Sequence, residues 1–155
     1  MKRVLILVLT TFLFTACNSD DISKKTGDYL IFGHYYGMCA GENCVAIFKL
    51  TDTKLYENTD DKQSLENLKF RELDEASFNQ VKDLTTYMPQ QLLEDDTTVF
   101  GCPDCADGGG LFIQLSKNGV VYKWTIDQVK ENVPEYLHEF MDKVNEKIAL
   151  INNNG

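Results

Sequence analysis

Histidine is scarce in this chain of 155 residues, with His34 and His138 the two present. The sequence also lacks a G-x-S-x-G elbow, a phosphate-binding or dinucleotide glycine motif, and an H-E-x-x-H pair. Hydrolase, nucleotide-dependent and zinc-peptidase chemistry are therefore each without their usual residues. Adjacent carboxylates such as Asp74 and Glu75 read more simply as a helix start than as an acid/base couple. Nothing here argues for an enzyme or a resident cofactor. Basic residues are few as well: 15 lysines and arginines stand against 24 acids, a net charge of −9. That balance argues against a nucleic-acid partner and against adhesion of the domain to anionic headgroups. There is no internal repeat, and the one long apolar run lies at the N-terminus.

That run organises the chain. Lys2 and Arg3 precede an apolar core from Val4 to Phe14, and Phe14-Thr15-Ala16-Cys17 follows. A basic start, an apolar core too short to span a bilayer, and small residues before a break are the parts of a secretory signal. The ending resembles the signal of bacterial lipoproteins, with Phe14 where Leu is usual. The resemblance covers about a tenth of the chain. It implies cleavage between Ala16 and Cys17, a diacylglyceryl thioether on Cys17 and a further acyl group, such as palmitate, on the new amino terminus. More than one chain makes anchoring stable, since each buried methylene contributes about 0.8 kcal/mol. Asn18-Ser19-Asp20-Asp21 follows at once, with no Asp next to Cys17. An Asp there would resemble an inner-membrane retention signal; the Ser-Asp-Asp tract instead resembles the surface-export signal of lipoproteins from the Bacteroidota. The implied address is the outer membrane, with cell-surface display a further expectation.

Removing residues 1–16 would leave 139, enough for one domain with a real core. Loss of Lys2 and Arg3 with the signal would take the net charge from −9 to −11. Residues 17–27 read as the lipidated cysteine and its linker, 28–151 as a single globular domain, and 152–155 as a frayed tail.

Within the domain, Asp28 to Tyr36 and Cys44 to Leu50 read as two strands of a hairpin with Cys39 and Cys44 at its tip. A short third strand is expected around Leu55-Tyr56, and another across Lys69 to Leu73. Asp74 is placed to cap a helix whose apolar side is Phe78, Val81, Leu84 and Met88, ending at Pro89. A turn of helix around Gln90 to Glu94 fits beyond it. Gly110 to Ser116 and Val120 to Ile126 flank Asn118-Gly119, the pair preferred in a two-residue type I′ turn. With Lys117 opposite Val120, Leu115 faces Tyr122, Ile113 faces Trp124 and Leu111 faces Ile126, so one face is apolar throughout. A last helix is expected from about Pro134 to Ile151, with Leu137, Phe140, Met141, Val144, Ile148 and Ile151 as its stripe. Together these predict an α+β fold: an antiparallel sheet with two helices packed on one face, in the order β-β-(β)-α-β-β-α.

Four cysteines remain beyond Cys17: Cys39, Cys44, Cys102 and Cys105. Export favours disulfides, with three pairings open. An alternative makes the C-x4-C and C-x2-C pairs a tetrahedral zinc site, and another makes Cys102-Pro103-Asp104-Cys105 a redox centre. The redox version lacks the following helix whose dipole would lower a thiol pKa, and zinc needs reduced thiolates. His34, Met38 and Cys39 offer soft ligand types for copper, without the number or spacing of a copper motif. Asp104 and Asp107 among glycines suggest calcium only weakly, because alternating acids and a closing Glu are missing. The glycines fit an unusual backbone path beside the cysteines. His138 reads as a helix-surface residue.

The C-x4-C tip and the CPDCADGGG segment resemble small lipoproteins of the Bacteroidota, a resemblance that brings no activity with it. The expectation is a non-enzymatic, lipid-anchored structural or binding module, braced by disulfides. Its partners would be the membrane, through Cys17, and an envelope or extracellular protein. The alternative is a zinc-, copper- or thiol-redox protein using the four cysteines. A protease inhibitor presenting a braced loop is a third and weaker option.

Overall fold

A computed structural model describes residues 27–39, 44–60 and 65–153. The signal, Cys17 and its linker as far as residue 26, and the last two residues of the tail lie outside them.

The class is α+β, and the sheet is larger and less regular than expected. Seven strands lie in the order β4-β3-β2-β1-β6-β7-β5. In chain order these are β1 Tyr29–Tyr35, β2 Val45–Thr51, β3 Leu55–Asn58, β4 Phe70–Glu72, β5 Val99–Phe100, β6 Gly110–Lys117 and β7 Val120–Asp127. The antiparallel expectation is corrected at one edge, where β5 pairs parallel with β7 through Val99–Thr125 and Phe100–Ile126. β5 has no place in the expected order, because a two-residue strand carries no readable periodicity.

Three helices form among the described residues rather than the two of the expected order: α1 Glu75–Val81, α3 His138–Asn152 and, where a turn of helix is expected around Gln90 to Glu94, α2 Gln91–Glu94. Asp74 caps α1 as expected, its Oδ1 accepting the Ser77 amide at 2.8 Å. The helix stops at Val81 rather than running to Met88, and a 3-10 turn over Leu84–Tyr87 continues its apolar side. In the same way α3 starts later than Pro134. Glu135–Leu137 forms a 3-10 turn first, with Pro134 just before it in an extended conformation. All six residues of the expected stripe are nevertheless buried.

The core follows from strand alternation. Leu30 and Phe32 of β1, Phe48 and Leu50 of β2, and Leu111, Ile113 and Leu115 of β6 join the helix residues in one apolar cluster. Ile31, Ile47 and Phe112 point to the other face and form a smaller cluster with Leu65, Leu68 and Phe70. The central strands are thus buried on both sides. Each large side chain removed from water contributes about 1.5–3 kcal/mol. Among the described residues two charged ones are carried inside, Asp127 and Lys147; Lys147 of α3 donates to the Gln80 carbonyl and pairs with Asp83, both at 2.8 Å, which ties α3 to the end of α1.

The strands give the domain two distinct ends. β1 starts at Tyr29, beside the entering chain, and β2 and β6 run the opposite way, while β7 runs with β1. Seven residues of strand at about 3.3 Å each set the ends roughly 23 Å apart.

Candidate functional site

The cysteine-bearing loops meet at the end of the sheet away from the entering chain. Tyr36 donates its amide to the Cys44 carbonyl at 3.0 Å, which extends the β1–β2 ladder into the first loop. The second loop, residues 101–109, leads from β5 into β6. Its fold is set by two aspartates.

Asp104 lies between the second pair of cysteines in the left-handed region, at φ 63°. Its Oδ1 accepts the Gly37 amide of the first loop at 2.9 Å and the Gly109 amide of its own loop at 3.2 Å. Its own amide donates to the Gly109 carbonyl at 2.8 Å. A single carboxylate therefore closes one loop and fastens it to the other. Gly109, at φ 71°, lies against the Tyr36 ring and the Tyr35 carbonyl, where a Cβ has no room. Burial, and then the Asp104 charge, push the Tyr35 phenol above its ordinary value.

Asp127, at the end of β7, holds the other side. It is 5% exposed and accepts the Cys102 amide at 3.0 Å, the Asn132 side chain at 2.7 Å and the Val129 amide at 2.8 Å. Burial alone would raise this carboxyl, but the Val129, Asn132 and Cys102 donors outweigh it and hold it below the usual value. Asn132, two residues before Pro134, thus spends its side-chain amide on Asp127.

The four cysteines fall into two local pairs at disulfide distance, Cys39 with Cys44 and Cys102 with Cys105, each with Cα atoms 5.4 Å apart. Cys44 is buried; Cys39, Cys102 and Cys105 are exposed. No group of three or more His, Cys, Asp or Glu able to hold a metal ion is gathered among the described residues. Cys105 opens a 3-10 turn of three residues, Cys105–Asp107, with Ala106 outside helical geometry. The neighbourhood is acidic, since no lysine or arginine occurs from Asp83 to Ser116. Both features are the reverse of what lowers a thiol pKa for exchange.

The remaining candidates separate. Met38 is 80% exposed, while His34 is half-buried with its ring 5.4 Å from that of Tyr36. Asp104 is committed to backbone amides and Asp107 is exposed. His138 is corrected from a surface residue to a half-buried clasp, its Nε2 lying 2.9 Å from the Lys130 carbonyl and 3.2 Å from that of Val133. Carbonyls only accept, so Nε2 carries the proton.

No protein-family model matches this chain, and no curated protein does. The site is read from its own chemistry.

A cleft of about 680 Å³ lies at the opposite end, between Asp28, Leu50, Lys82, Met88, Leu93 and Lys117. Neither the cleft nor Asp127 carried a distinguishing mark in the sequence. One is assembled from four separate segments, and the other is one acid among 24.

Proposed function

We propose that this chain is a lipid-anchored envelope protein whose domain is a non-enzymatic binding module. It is tethered through Cys17 to the outer membrane and presents its cysteine-braced loops to a protein partner in the envelope or outside the cell. The observation that carries this reading is one of placement. Asp28 and the cysteine pairs stand at opposite ends of the same strands, so a tether at one end leaves the braced loops free at the other. Asp104 and Asp127 fasten the backbone there at Gly37, Cys102 and Gly109, beside the highly exposed Met38. Backbone fastened at such points has less ordering entropy to lose on binding.

Two measurements test it. Intact mass of protein from envelopes should show acyl groups on Cys17, and Cys17→Ser should abolish membrane association. A photo-crosslinking residue at Met38 should then capture a discrete protein in intact cells, and the same residue at Asp52 should not. Free, unacylated protein, or equal capture from both ends, would reject the reading. Protease shaving of intact cells separates surface display from a periplasmic orientation.

The second reading uses the four cysteines for metal or thiol chemistry, and the exposure of Cys102 and Cys105 favours it. Alkylation of protein purified without reductant decides between the two. Unlabelled cysteines and no bound metal support the braced module, and four labelled cysteines or stoichiometric zinc or copper support the alternative.

A further inference from the structure

The β6–β7 hairpin departs from the acidity of the rest of the chain. From Leu111 to Ile126 it holds Lys117 and Lys123 and no acidic residue. Its turn lies at the end where the chain enters, and the Asn118 amide donates to Asp28 Oδ1 at 2.9 Å. Beside that turn Val120 and Val121 are 51% and 56% exposed, with side chains on opposite faces of the strand. β5 covers only Thr125 and Ile126 along the outer side of β7. The Thr125 amide donates to Thr98 on that side, so alternation also turns the Val121 and Lys123 amides outward, beyond the reach of β5.

We propose that this hairpin tip is a membrane-contact element, seated on the same bilayer that holds the acyl groups of Cys17. Val120 and Val121 enter the boundary between headgroups and acyl chains. Lys117, beside the turn, extends its ammonium group toward anionic phosphates, and Lys123, whose Nζ lies 5.6 Å from the centre of the Phe112 ring, swings from that ring to do the same. This rests on the lipid anchor proposed above. Net charge excludes adhesion of a free domain, and the tether removes that objection. Ten residues separate Cys17 from Asp28, a reach of at most about 35 Å. A surface held that close is met at an effective concentration on the order of millimolar, so a contact too weak to hold a free protein is populated. Asp28 and Asp52 stand at the same end and oppose the contact, although Asp28 has one oxygen engaged with Asn118. The consequence is orientation: a seated hairpin points the cysteine-bearing end away from the bilayer.

The test is amide exchange on the lipidated protein in phosphatidylcholine vesicles, with and without phosphatidylglycerol. With the anionic lipid, the Val121 and Lys123 amides should exchange about threefold more slowly, or slower still. The effect should vanish in Val120→Asp/Val121→Asp and in Lys117→Glu/Lys123→Glu, both confined to exposed positions. Vesicle sedimentation in the same samples separates the two claims. Protein that sediments with unchanged tip exchange overturns the hairpin contact and leaves the anchor standing. Protein that fails to sediment and lacks acyl mass on Cys17 overturns both.

Discussion

Asp104 and Asp127 are ordinary in the sequence and decisive in the fold. Each spends its oxygens on backbone amides near the cysteines, and a buried donor left without its acceptor costs about 1–3 kcal/mol. Asp104→Ala removes the acceptor shared by Gly37 and Gly109 and also puts a Cβ without local hydrogen bonding at φ 63°. It should lower stability in urea by about 1.5–3 kcal/mol, whereas Asp104→Asn keeps an oxygen and tolerates that backbone, and should lose much less. Equal losses would show that charge, not the bond pattern, matters. Asp127 also makes stability depend on pH. Its folded carboxyl lies below the ordinary 3.8, so its contribution is complete above the unfolded value and is lost as pH falls through the folded one. Asp74, Asp83 and Asp95 are lowered in the same direction. Unfolding free energy should be level from about pH 5 to neutrality and fall steadily below about pH 4. Asp127→Asn should flatten part of that fall while lowering stability at neutral pH; an unchanged slope would count against it.

Among the elements, the β6–β7 hairpin was legible to the last pair. Every expected partner, from Lys117 with Val120 to Leu111 with Ile126, is present, because turn chemistry and alternation specify one register between them. Gly119 lies at φ 82° with open space around its Cα, so a side chain there meets only backbone strain. Gly119→Ala should cost about 1–2 kcal/mol with the sheet intact by circular dichroism. The stripe of α3 was legible for a similar reason, since six apolar residues repeat on one face. Where the signal was short the reading stopped. β5 is two residues held by β7, and α1 breaks after Val81 although its apolar spacing continues, because a 3-10 turn places Leu84 as well as a helix would. In the candidate site the cysteines and the role of the glycines were readable, as composition is. Pairing was not, since four cysteines leave three pairings open, nor was the carboxylate that joins the loops, which depends on residues brought together from distant parts of the chain, such as Gly37 and Asp104.

At the scale of the molecule, the sheet and its cysteine braces are nearly independent. Both pairs close very short loops, with sequence separations of 5 and 3. Loop-closure entropy for such rings is on the order of 2 kcal/mol each, against a typical domain stability of about 5–15 kcal/mol. The core lies between the helices and one face of the sheet, and none of its largest buried side chains belongs to a cysteine loop. Crossed pairs closing long loops would have tied the two together; local pairs leave the core to stand on apolar burial. Reduction should therefore spare the fold and loosen one end of it. With dithiothreitol present, near-ultraviolet dichroism from Trp124, which is buried and stacked on Tyr122, should persist. Amide exchange at Gly37, Cys102 and Gly109 should speed up, because Asp104, which accepts from Gly37 and Gly109, and Cys102, which donates to Asp127, both belong to the braced loop, while Ile113 and Leu115 in the centre of β6 should keep their protection. The partner binding proposed for the braced end should then weaken, with no change in the membrane association proposed for Cys17. Cooperative loss of the Trp124 signal on reduction would mean instead that the braces hold the whole domain, and that the cysteine end is part of its core rather than a surface mounted on it.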